Sequence, residues 1–268
     1  IFGIIPALFS FMEYNYLIDP IGENRKKQSI LMQQLSSGRR IVNSWMDAGG
    51  LAVANKLAST VSRSTIAANN LSTSNSFLQT QDGVLKSASE ILDRMGQLKA
   101  MSQGVFGDNT GAYQKEYEIL REELASLSQQ TFNGVDLFAS PSGNLPVIGD
   151  PSASTSFLIS QPDLDDAVSD IGNESQLANL STSNFTDALQ NVATLRATNG
   201  AQQSRVDASF DLMRVQITSK SAAYSAIMDV DLARTSTDLA VTNIYTASGA
   251  AVFNSGLLVS SRVGMLIR

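Results

Sequence analysis

The stretch that decides the fold is Leu71–Val105, LSTSNSFLQTQDGVLKSASEILDRMGQLKAMSQGV. Leu71, Leu78, Leu85 and Leu92 recur every seven residues, and Val84, Ile91, Leu98 and Val105 form a second column one position earlier in register. Two apolar columns at that interval make one broad stripe along an α-helix. At about 1.5 Å per residue this stretch alone would span roughly 50 Å, the dimension of a rod rather than of an average globular helix. No proline interrupts residues 21 to 140.

Moving outward, the turn GDNTG at Gly107–Gly111 ends the long helix, and Tyr117, Leu120, Leu124 and Leu127 follow at spacings of three and four. That pattern predicts a second, shorter helix packing back antiparallel. Residues 132–160, FNGVDLFASPSGNLPVIGDPSASTSFLIS, change character, because Asn-Gly, Pro and Ser punctuate short apolar bursts. One or two β-hairpins at the tip of the rod are expected there. From about Asn184 the helical period returns: Val206, Phe210, Met213, Ile217, Tyr224 and Ile227 keep steps of four and three once Lys220 is counted as the polar member. So strict a period predicts a coiled-coil seam along the first helix.

The fold class read from this order is mainly α: a long antiparallel helical rod, coiled-coil-like, with a small β-hairpin tip and the N- and C-terminal helices paired at one end. The expected domains are 1–40 with 236–268 as a terminal helical pair, and 41–235 as the rod, with its hairpin region at about 132–160. The closing TASGAAVFNSGLLVSSRVGMLIR mixes small residues with large apolar ones that a thin two-helix end has no means of covering. A partner is expected to cover them, with Leu239, Ile244, Val252, Phe253, Leu257, Leu258, Leu266 and Ile267 as the contact residues.

Composition removes most chemistry. The 268 residues hold no His and no Cys, so imidazole bases, imidazole-built triads, thiol nucleophiles and the commonest metal ligands are all missing. Formal charge is −6, and from Glu122 to Leu195 there is no Lys or Arg. That acidic stretch reads as a solvated outer surface, and nucleic acid is a poor partner. Asp163, Asp165, Asp166, Asp170 and Glu174 lack the spacing of a calcium loop. Adjacent carboxylates such as Glu122 and Glu123 point in different directions on a helix. Neither an enzyme, nor a cofactor, nor a metal site is expected. The opening IFGIIPALFSFM is too short to span a bilayer and lacks the pattern of a secretory signal. Its lack of an initiator Met is expected to reflect trimming or processing.

Several segments, in order, resemble bacterial flagellin. SGRRIVNSWMDAGGLAVANKL (37–57) is similar to the family's Ser-Gly-x-Arg-Ile turn and the Asp-Ala-x-Gly-Leu-Ala segment that follows it. QTQDGVLKSASEILDRMGQL (79–98) resembles the next helix, QQTFNGVDLF (129–138) the Gln-x-Phe-Asn-Gly-Val turn, IMDVDLA (227–233) the C-terminal Asp-x-Asp-x-Ala segment, and MLIR (265–268) the closing Leu-Leu-Arg. The resemblance implies a short flagellin with D0-like and D1-like helical domains only, self-assembling into the extracellular flagellar filament. It implies as partners other copies of the chain, the flagellar export apparatus, a C-terminal export chaperone, and the filament cap and hook–filament junction proteins. Alternatives are a hook–filament junction protein itself and a flagellin-related surface binding protein.

The same resemblance makes Gly38, Arg39, Arg40, Asp47, Gly49 and Gly50 a charged, glycine-containing joint between stacked domains. Arg94 and Leu98, with Glu116, match positions that a Toll-like innate immune receptor of animal hosts contacts in some flagellins. One departure carries a structural expectation: Pro6 and Pro20 sit where the family runs a continuous helix, and Pro20 is expected to break or kink it.

Overall fold

The leucine columns do become one helix. In the computed structural model, α2 runs Ala48–Ser102 without interruption. The backbone is described for residues 4–104, 110–151 and 156–266, and side-chain environments for 21–104, 111–151 and 157–255. The chain divides into two compact units: a terminal unit, residues 1–59 with 220–268, and a central unit, residues 60–219. These divisions fall inside α2 and inside α6 (Thr182–Met228). Ten basic and seven acidic residues fall in the terminal unit, nine and eighteen in the central one, which leaves formal charges of +3 and −9.

In the central unit the main buried seam of α2 is Ser64, Ala67, Leu71, Ser74, Leu78, Gln81, Leu85, Ala88, Leu92, Met95 and Lys99, in steps that alternate three and four, with Ala68, Phe77 and Leu98 buried beside it. This is the repeat of a helix keeping one seam toward its partner. The partner is α6, where Val206 and Met213 are buried and Phe210 and Ile217 are half-buried. The two run antiparallel, because Asn75 donates to Asp207 at 2.7 Å and Arg196 pairs with Asp82 at 3.0 Å. Helix α3 (Thr110–Ser128) adds Tyr117 and Leu124 to the same core.

Two hairpins complete the central unit. Strands β1 (Thr131–Phe132) and β2 (Val135–Asp136) are joined by Asn133 and Gly134, both at positive φ (51° and 79°). Such a two-residue turn matches the right-handed twist of the strands, and Asn-Gly is the pair that adopts it at least cost. Strands β3 (Gly143–Ile148) and β4 (Ser156–Gln161) pair antiparallel, setting Leu145 opposite Ile159 and Val147 opposite Phe157. Short helices α4 (Leu164–Ala167) and α5 (Ser169–Gly172) and a 3-10 turn (Leu177–Asn179) lead into α6.

The hairpins are the elements the punctuation predicted, but they do not extend beyond the helix ends as a tip. Phe132 meets Phe77 edge-on, with ring centroids 6.1 Å apart. Gln81 donates to Leu137 O at 2.6 Å, Ser160 N donates to Gln202 at 3.1 Å, and the Arg205 guanidinium sits 4.6 Å from the Phe157 ring centre. They lie partway along α2 and α6, since their apolar faces need apolar helix surface, which the polar turns at Ser102 and Thr182 lack.

Tyr117 gives the central unit a pH dependence of known sign. Its hydroxyl is fully buried and donates to Ile171 O at 3.0 Å and Glu174 O at 2.7 Å. Burial raises its pKa to about 12, against a smaller lowering by Arg121. An unfolded-chain tyrosine titrates near 10, so the folded state holds this proton more tightly. Its contribution is complete below about pH 10 and is lost as pH rises through 12. Tyr117→Phe is expected to cost about 1 kcal/mol at neutral pH. Compared with the parent in urea unfolding, the variant should show a shrinking deficit between pH 10 and 12.

In the terminal unit, α1 (Ile4–Ser37) lies along α7 (Leu232–Leu266). The expected break at Pro20 does not occur, and the helix continues through it. Proline removes one backbone donor and crowds the carbonyl four residues back, and here the neighbouring turns carry the helix across that gap. Pro6 lies in the first turn, where no N–H is required. The pairing is antiparallel, with Gln28 donating to Asn243 at 2.6 Å. At Gly249 an added Cβ would stand 3.2 Å from Ile21 Cγ1, so glycine lets the two helices approach. Among the described residues, no helix is long and apolar enough to cross a membrane.

Candidate assembly surface

Both chain connections of the terminal unit are pinned to each other. Gly38, at φ +68°, turns the chain out of α1. Arg39 then forms an antiparallel bridge with Asp229, Arg40 N donates to Met228 O at 2.6 Å, and Val230 N donates to Gly38 O at 3.1 Å. The Arg40 side chain adds a bond from Nε to Ile227 O at 3.0 Å, and Gln34 donates to Arg40 O at 2.6 Å. Beneath this clasp Ile41, Ala54 and Met228 form a small core with Leu51, Tyr224 and Ile227.

Each connection restarts a helix with an aspartate. Asp47 Oδ1 accepts from Gly50 N at 2.7 Å to cap α2, and Asp231 Oδ1 accepts from Arg234 N at 3.0 Å to cap α7. A carboxylate at that position satisfies an orphan donor and favours the positive end of the helix dipole. The glycines divide accordingly. Gly38 is a turn residue, whereas Gly49 and Gly50 belong to the first turn of α2. A Cβ at Gly50 would fall 2.3 Å from Asp47 Oδ2, so this glycine makes room for the cap. Arg40 and Asp47 also approach to 3.8 Å, but both are about half-exposed and such a pair contributes little. Asp47 is expected at the joint, but not as a cap, and sequence reasoning missed Asp231. An Asp directly before a small residue and an apolar helical run, as in MDAGGLA and DLARTS, is the available signal.

The α1–α7 pair covers only part of its apolar side chains. The α7 residues facing α1 are Thr235, Leu239, Thr242, Thr246, Gly249 and Phe253, at steps of four and three. On α1, Ile21, Asn24, Gln28 and Leu31 are covered in turn, so the seam mixes apolar and small polar side chains, and the Thr242 and Thr246 hydroxyls bond to carbonyls of α7 itself. Other large apolar residues lie outside it: Ile244 is 62% exposed, Val252 56% and Tyr245 61%, with Val241 and, on α1, Met32 also exposed. Of the contact residues expected from the sequence, Ile244 and Val252 are therefore presented outward. Leu239 and Phe253 are half-buried and belong to the intramolecular seam. Leu257, Leu258, Leu266 and Ile267 lie outside the residues whose side chains are described.

The remaining candidates separate in the same way. Arg94 and Glu116 form a surface ion pair at 2.6 Å between α2 and α3, but Leu98 is fully buried and inaccessible in the folded central unit. It faces inward because it continues the apolar columns of the heptad. Asp163 caps α4 by accepting from Asp166 N at 3.0 Å. The Glu174 carboxyl is held below the usual range by the backbone N–H of Gln176, with help from Asn179. Among the described residues, no group of three His, Cys, Asp or Glu stands close enough to hold a metal ion.

Residues 11–142 match the bacterial flagellin N-terminal helical region, and residues 182–255 match the bacterial flagellin C-terminal helical region. The chain belongs to the flagellin family. The 31.3 kDa flagellar filament core protein of Treponema maltophilum is 26% identical to it, across 92% of this chain and 95% of that protein. The 33 kDa flagellar filament core protein of Treponema phagedenis is 27% identical across 88% and 91%, and the flagellin of Listeria innocua 27% across 87% and 89%. Both capping aspartates and the exposed side chains of α7 fall inside the two flagellin regions. The interval between them, residues 143–181, holds only β3, β4, α4, α5 and the 3-10 turn among its described residues, in keeping with a short flagellin.

Proposed function

We propose that this flagellin is a structural subunit of the bacterial flagellar filament and that copies join through the outward face of α7. The observation that carries the reading is the apolar face that the α1–α7 pair leaves uncovered, with Val241, Ile244, Tyr245 and Val252 exposed on α7. Fully burying one exposed side chain of this kind contributes about 1.5–3 kcal/mol; these four are already about half covered, so together they contribute on the order of 3–6 kcal/mol. Association itself costs about 4–15 kcal/mol. A single two-copy contact through this face therefore sits at or below balance. A filament end, where an incoming copy meets several neighbours together, tips the sum toward binding.

Export fits the same chain, because a cysteine-free polypeptide passes a narrow channel unfolded without cross-links to undo. In this reading the flagellar export apparatus delivers it to the outside of the cell, and a C-terminal export chaperone shields α7 beforehand. The filament cap and the hook–filament junction proteins meet it at the two ends of the polymer. Recognition by a host receptor would use the Arg94–Glu116 surface without Leu98.

Negative-stain microscopy tests the proposal. The full chain is expected to elongate filament seeds without limit, whereas a chain lacking residues 236–268 stays monomeric while keeping the helical circular dichroism of its central unit. A full chain that adds once and stops is a junction protein, and one that never adds is not a filament subunit.

A further inference from the structure

We infer that Asn133, in the turn of the β1–β2 hairpin, is a modification site at which the folded chain loses ammonia to become aspartate or isoaspartate; this is independent of the filament reading. The sequence contains two Asn-Gly pairs, Asn133–Gly134 and Asn199–Gly200. A glycine in second place leaves its backbone nitrogen open to the preceding carboxamide. Asn133 and Gly134 are both exposed. A Cβ added at Gly134 would meet nothing within 4 Å, and among the described residues neither the Asn133 carboxamide nor the Gly134 N–H has a hydrogen-bond partner. To react, Asn133 has to rotate away from its φ of 51°. Strands β1 and β2 comprise only two residue pairs, so local opening of this hairpin costs little.

Asn199–Gly200 is the opposite case. It lies inside α6, where Gly200 N belongs to the helical ladder. Asn199 is 3% exposed; its Nδ2 donates to Leu78 O and Gln81 Oε1, and its Oδ1 accepts from Gln203 Nε2. Neither reactant is freed there without opening the packed helices. At Asn133, Gly134 N gives up its proton and forms a bond to Asn133 Cγ, while the bond from Cγ to Nδ2 breaks and ammonia leaves with that proton. Water then opens the cyclic succinimide at either carbonyl, and nothing is oxidised or reduced. Opening at one carbonyl gives aspartate, and Asp-Gly suits the same turn. Opening at the other gives isoaspartate, which routes the main chain through the side-chain carbon and lengthens the turn by a methylene. That lengthening breaks the pairing of Phe132 with Val135 and loosens the Phe132 ring from Phe77.

Peptide mass mapping of the full chain during storage in mildly alkaline buffer tests this, with the two pairs controlling for each other. In the folded chain Asn133 should convert about a hundredfold or more faster than Asn199, and in urea the two rates should converge. Part of the product should accept label from an isoaspartyl methyltransferase. Molecules carrying it should exchange the Leu137 amide, which donates to Gln130 O at 3.0 Å, faster than unconverted ones. Asn133→Gln, whose longer side chain closes the ring far more slowly, should abolish conversion at this position. Equal rates at the two pairs in the folded chain overturn the inference, as does an Asn133 that stays intact there while converting in urea. Unchanged exchange at Leu137 in the isoaspartate form overturns the loss of the hairpin.

Discussion

A chain carrying Ile244→Asp together with Val252→Asp is expected to remain monomeric at concentrations about a hundredfold or more above the point at which the parent chain polymerises. Both side chains are more than half exposed in the isolated subunit, so the monomer should keep its helical circular dichroism. In the polymer each carboxylate would have to leave water without a partner, at several kcal/mol apiece. Every 1.4 kcal/mol is a factor of ten in concentration. The matching control is Leu239→Asp. Because Leu239 is half-buried on the α1–α7 seam, that change should instead loosen the helix pair of the monomer. Sedimentation across a concentration series, paired with circular dichroism, separates the two results. Unimpaired pelleting of the double variant would remove this face of α7 from the assembly.

The second large effect is on folding. Leu85→Ala is expected to destabilise the central unit by about 3–5 kcal/mol, read as a lower urea midpoint at unchanged slope. Leu85 has no exposed surface and sits between Gln81 and Ala88 on the buried seam of α2. Collapse into the hole is hindered from one side by a polar cluster: Gln81 donates to Leu137 O, and Asn199 donates to both Gln81 and Leu78 O. That cluster holds α2, α6 and the hairpin segment in one register, so the cavity has little freedom to close. Leu212→Ala and Val215→Ala, at positions more than half exposed on α6, should each change stability by only about 0.5 kcal/mol.

The heptad leucines were legible because one spacing, repeated over about six helical turns, has a single geometrical meaning. The Asn133–Gly134 hairpin was legible because its positive φ values demand those residues. Other features compete at the level of sequence. Helix α7 carries Ala, Val, Leu and Ile among Thr, Ser and Gly all around, so no periodic stripe tells that Ile244 faces out while Leu239 faces in. Pro20 carries a strong local preference against helix, yet α1 absorbs it. The receptor contact that the resemblance attached to Leu98 does not suit its burial, which its place in the apolar column already implied. The capping role of Asp47, expected only as a joint charge, and of Asp231 emerges once the backbone shows that a helix begins after each. The site is thus less readable than the fold, because it depends on which side of a nearly uniform helix faces water.

The α1–α7 seam mixes small polar side chains with the covered Ile21, Leu31, Leu239 and Phe253, whereas the contacts proposed between copies rest on Val, Ile and Tyr alone. Apolar attraction fades on cooling. Cold should therefore unfasten molecule from molecule before it unfolds any one of them, and warming should restore the polymer from intact parts.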